Sequence, residues 1–98
     1  MSDTTELRRG ARTRLKAEVG FRKPLEMPYE IRLADLSQNG CQVRLREKVV
    51  NGDLLWITLP GIEMQQSWVR WVEGWNAGLE FERPMHPAVY DHLARQLG

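Results

Sequence analysis

The sequence predicts an all-β domain: a small six-stranded antiparallel β-barrel with a flexible N-terminal arm and a C-terminal α-helix. Three observations carry that expectation. Short runs in which apolar and polar residues alternate recur along most of the chain, the period of half-buried strands. Clusters of Pro, Gly, Asn and Asp separate these runs. Beyond Pro84 the apolar period lengthens to that of a helix. Closing the sheet into a barrel removes the edge strands that so small a sheet would otherwise expose. No internal repeat or low-complexity segment interrupts the pattern.

Residues 1–11 show no apolar periodicity and include Gly10, so an arm is placed at 1–12 and a single domain at 13–98. Leu15, Ala17, Val19 and Phe21 alternate with Lys16, Glu18 and Gly20 as a first strand. Pro24 and Pro28 make 22–28 a loop. Tyr29, Ile31 and Leu33 form a second strand, and 35–40 reads as a turn rich in Asp, Ser, Asn and Gly. Cys41, Val43 and Leu45 belong to a third strand with Gln42, Arg44 and Arg46 outward. Asn51-Gly52-Asp53 is a turn before a fourth strand at 54–59, which Pro60-Gly61 stops. A fifth strand is expected within 62–72, a turn at Glu73-Gly74-Trp75-Asn76 and a sixth strand at 77–81. Val89, Leu93 and Leu97 then recur at i, i+4 and i+8 of a helix at about 86–97, with Pro87 in its first turn and Gly98 at its end.

Composition narrows the function classes. At 98 residues, 42% hydrophobic and 28% charged, the chain is sized for one globular domain. No apolar run is long enough to span a membrane, so no membrane insertion is expected. The polar N-terminus does not resemble a secretory signal. The single Cys41 cannot form an internal disulfide, which points to a reducing cytoplasm and to an inert core thiol. The net charge of +1 hides an asymmetry: residues 1–23 hold seven basic and three acidic residues, a net +4, which leaves −3 for the rest. Such concentration favours a discrete anion site over a uniformly basic surface, so a nucleic-acid polymer is not the expected partner.

Two motifs can supply that site. Arg8 and Arg12 lie four residues apart, on one face of either a helix or a strand. Guanidinium forks can grip phosphates and the O6/N7 edge of guanine. In Asp35-Leu36-Ser37-Gln38-Asn39-Gly40, a carboxylate can accept from guanine N–H donors and a hydroxyl can donate or accept. Gly40 would let a base approach the backbone, or serve only a positive φ. Asp35 and Ser37 could equally cap a turn through their own backbone.

Arg8-Arg9-Gly10-Ala11-Arg12, followed by Asp35-Leu36-Ser37-Gln38-Asn39-Gly40 and by Ala77-Gly78-Leu79-Glu80-Phe81, resembles the PilZ domain family. That family's hallmarks are R-x-x-x-R in an N-terminal arm and D/N-x-S-x-x-G at a strand junction. The resemblance runs from about Leu7 onward. It implies a six-stranded barrel that binds cyclic di-GMP as its ligand, with no cofactor and no catalysis. It implies that Arg8 and Arg12 clamp the ligand while Asp35, Ser37 and Gly40 read a guanine; Arg9 lies inside the first motif and could contact a phosphate. Leu7 stands where many members carry another basic residue, which favours one bound ligand over a stacked pair. The implied role is a cytoplasmic receptor that orders its arm on binding and signals to an unidentified effector protein controlling motility, attachment or exopolysaccharide. A ligand-independent interaction adaptor and a small barrel for single-stranded nucleic acid are the alternatives.

Other candidates are weaker. His86 and His92 do not share a helical face, so no metal site is expected. No nucleophile-elbow pattern surrounds Ser37. Of the four tryptophans, most are expected to fill the barrel or pack under the helix. Trp56 and Trp68 nonetheless fall opposite the apolar Ile57 and Val69. Trp75, in its turn, is expected to be partly exposed and free for a partner.

Overall fold

Alternation decides which side chains enter the interior of the protein. In a computed structural model, residues 13–97 are described, with side chains from Ala17 onward. The expected arm with Arg8, Arg9 and Arg12, together with Leu15, lies outside what is described of side chains. The strands are β1 (Thr13–Arg22), β2 (Tyr29–Leu36), β3 (Gly40–Arg44), β4 (Leu54–Thr58), β5 (Gln65–Glu73) and β6 (Asn76–Phe81), followed by α1 (Pro87–Leu97). Neighbouring strands are antiparallel, and the order β1-β2-β3-β6-β5-β4 closes into a barrel.

Val19, Phe21, Ile31, Leu33, Val43, Leu55, Ile57, Val69 and Leu79 point inward and are buried. Each contributes roughly 1.5–3 kcal/mol by leaving water, as an upper estimate. α1 adds Tyr90 and Leu93 to the same core, with Val89 and Leu97 half-buried beside them. The expected stripe is therefore present but is shared with Tyr90. His86 caps the helix: its Nδ1 accepts from the Ala88 N–H at 3.0 Å and its carbonyl from the Tyr90 N–H at 3.0 Å. No described helix is long and apolar enough to cross a membrane.

Two bulges break the alternation and shape everything that follows. In β2, Leu33 pairs with Val43 but Asp35 pairs with Gln42, so Ala34 is an extra residue. Leu36 thereby returns to the core, fully buried. Asp35 and Leu36 are strand and Gly40 opens β3, so the turn expected at 35–40 is confined to the residues between. In β5, Val69 pairs with Leu79 and Trp71 with Gly78, making Arg70 the extra residue. A third register shift lies between Arg14 and Ala17 in β1.

The tryptophans correct the sequence expectation. None belongs to the core cluster. Ile57 and Val69 take the inward positions, so Trp56 and Trp68 are outside and half-buried. The Arg22 guanidinium lies over the Trp56 ring, 4.5 Å from its centroid. Trp75 is 45% exposed, as expected of its turn, and Trp71 is 38% exposed.

The β1–β2 connection differs from the other turns. The Glu26 N–H donates to the Lys23 carbonyl at 3.2 Å, with Pro24 second in the turn and Leu25 third at φ +63°. That third place usually takes Gly or Asn, yet Leu25 holds it fully exposed. The hairpin base is braced by Glu47, which accepts from Tyr29 Oη at 2.7 Å and Lys23 Nζ at 3.2 Å. Burial, then the bond to Glu47, pushes the Tyr29 hydroxyl above its ordinary range.

Candidate functional site

The β2–β3 turn is built from its own residues. The Gly40 carbonyl accepts from the Ser37 N–H at 2.9 Å and from Ser37 Oγ at 3.2 Å. Ser37 is buried, so its hydroxyl satisfies a need of the fold. The segment after β6 then ties the turn down. The Asn39 carbonyl accepts from the Phe81 N–H at 2.8 Å, and the Gln38 carbonyl from the Met85 N–H at 2.7 Å. Gln38 Nε2 returns a bond to the Met85 carbonyl at 2.9 Å.

Gly40 has a structural reason that neither sequence reading named. Its φ is not among the positive ones. A Cβ there would stand 1.9 Å from the Leu79 carbonyl oxygen of β6. Only hydrogen fits, because β6 backbone fills the place of a side chain. Gly78, the neighbour of Leu79, has the same requirement from outside: the Trp71 indole lies across it, with Nε1 2.0 Å from where a Cβ would be.

A surface cavity of about 290 Å³ opens beside this turn. Ser37, Asn39 and Gly40 line one wall, and Arg70, Trp71 and Glu80 another. The β5 bulge creates the second wall, since two consecutive residues, Arg70 and Trp71, both face outward there. Asp35 is half-buried on β2 near the turn but does not line the cavity. The register puts Thr13, the first described residue, opposite Leu36, so the chain carrying Arg8, Arg9 and Arg12 joins the barrel one residue from Ser37. Those arginines themselves lie outside the described residues. Three larger grooves, of about 640, 680 and 310 Å³, share no residue with either motif.

Sequence reasoning missed Arg70 and Glu80 altogether, and gave Trp71 no place in the site. The only available signal was the Arg-Trp pair in the fifth strand, and its meaning depends on the bulge. Chemically, the cavity combines hydrogen-bonding groups, an indole and a guanidinium. That set suits a planar heterocycle attached to an anion.

No curated protein matches the sequence. Among solved structures, the fold is similar to the PilZ domain of CeSA from a cellulose-synthesizing bacterium. The TM-score is 0.59 at 14% identity, covering 88% of this chain and 92% of that one. The family model for the PilZ domain matches residues 6–98, spanning both motifs and all six strands. PilZ domains are, as a family, regulatory domains that bind cyclic di-GMP. With the closed barrel, the motif turn and that match in hand, the chain belongs to the PilZ domain family.

Proposed function

We propose that this chain is a cyclic di-GMP receptor whose N-terminal arm, bearing Arg8, Arg9 and Arg12, orders over the ligand and signals to a partner protein in control of motility, attachment or exopolysaccharide. The observation that carries the reading is the cavity beside Ser37 and Gly40, next to the point where the arm joins β1. At about 290 Å³ it sits at the lower limit for small-molecule sites, so it takes part of a cyclic dinucleotide. One guanine enters against Trp71, Asp35 contributes from the edge, and the arm arginines take phosphates and the second guanine. Ordering the arm costs roughly 1–2 kcal/mol per residue fixed. Charge-assisted hydrogen bonds, about 1.5–3 kcal/mol each, offset this. The role is binding, and no catalytic step is assigned.

The test is a calorimetric titration with cyclic di-GMP, with GTP and a short oligonucleotide as controls. Selective binding, lost in the Arg8→Ala/Arg12→Ala double variant, is the expected result. No binding at high micromolar ligand would instead leave a ligand-independent adaptor. Hydrogen exchange along residues 1–12 reads the arm: equal protection with and without ligand would sink the ordering step.

A further inference from the structure

Strict alternation along β5 would send one of any two neighbouring side chains into the core. The extra residue at Arg70 suspends that rule for one step and leaves a guanidinium beside the Trp71 indole on the cavity rim. Arg70 is already engaged there. Its Nε donates to Glu80 Oε1 across the β5–β6 pair at 2.5 Å. Glu80 also lines the cavity, and the two side chains are about half exposed, at 53% and 52%. A cavity suited to an anion-bearing ligand therefore contains a carboxylate, and that carboxylate holds the one arginine lining it among the described residues.

We propose that Arg70 and Glu80 form a latch that sets the affinity of this site: the ligand's phosphate must take Arg70 from Glu80 to bind fully. The proposal rests on the cyclic di-GMP reading above. Guanidinium groups present the same fork to carboxylate and phosphate, so the two compete for the same N–H donors. The ligand gains only the difference between the two pairings. An exposed ion pair typically holds its partner by about 0.2–1 kcal/mol, so the latch weakens binding by about 1.4- to fivefold. Like-charge repulsion between Glu80 and the bound phosphate acts in the same direction and is screened by salt. Glu80 thus places the response at a higher ligand concentration than Ser37, Asp35 and the arginines would give alone.

The experiment is calorimetry of the full chain with cyclic di-GMP at fixed salt, using Glu80→Gln, Arg70→Gln and the double variant, each checked by thermal unfolding. Glu80→Gln is expected to bind about 1.4- to fivefold tighter, a gain that a damaged fold does not produce. Arg70→Gln is expected to bind more weakly than the unaltered chain. Adding Glu80→Gln to it recovers only part of that gain: the salt-screened repulsion is relieved, but no arginine remains to release. Binding by Glu80→Gln that is unchanged or weaker overturns the latch, as does a full gain in the Arg70→Gln background. An unaltered chain that takes up no ligand overturns the receptor reading and the latch together. That result is distinct from a chain that binds normally while Glu80→Gln changes nothing.

Discussion

The two walls of the cavity are built on opposite plans. On the turn side, Ser37 and Gly40 are buried and their polar groups are committed to the fold. On the β5 side, Arg70 and Trp71 are exposed, and neither contributes to the core. Ser37 and Gly40, which stand out in the sequence, are thus residues whose replacement disturbs folding. The residues that escape notice can be changed with little effect on the barrel. A loss of binding in a turn variant is ambiguous, whereas a loss in a β5 variant reports on the ligand.

Stability measurements can break this contrast. The largest effect is expected for Gly40→Ala, because the new methyl meets β6 backbone, which cannot swing aside as a side chain can. A destabilisation of about 3 kcal/mol in urea unfolding is expected. Wild-type stability would mean that β3 and β6 can separate there. Ser37→Ala comes next, at about 1 kcal/mol, since the Gly40 carbonyl keeps the Ser37 N–H but loses the hydroxyl. No loss at all would show that the hydroxyl is available to a ligand after all. Gly78→Ala sharpens the other side: it should displace the Trp71 indole and shift its fluorescence while the barrel stays folded. Smallest of all is Arg70→Gln, expected within about 0.5 kcal/mol, as for an exposed residue with one exposed ion pair. A clear loss of stability would give Arg70 a place in the fold and weaken its claim on the site.

The strands and the helix were legible because alternation and turn residues act locally. Val19, Phe21, Ile31, Leu33 and Val43 declare their side of the sheet within a few residues of themselves. Bulges carry no such signature. One inserted residue at Ala34 or Arg70 reverses the side of everything after it, and only the partner strand reveals the slip. Leu36 therefore looked like part of a turn, and the tryptophans were for the most part expected inside the barrel or under the helix. Glu80 is ten residues from Arg70, and nothing in the sequence says that a hairpin will bring them together. A positive φ is not what calls for Gly40; the oxygen that excludes its Cβ belongs to a residue far along the chain, which no local pattern reveals.

The closure of the barrel has a weakest place. β1 pairs with β2 through seven residue pairs but with β4 through only three, Gly20–Thr58, Phe21–Ile57 and Arg22–Trp56. Gly20 makes even that contact close, since a Cβ there would lie 3.0 Å from Thr58 Cβ. Local opening follows the line of fewest bonds, so the cylinder parts along this seam before any other. The strand that peels is the one continuous with the arm. On the proposed function, a ligand that draws the arm inward would also press β1 back into its place, and the lifetime of the closed state would become a second quantity that the ligand sets.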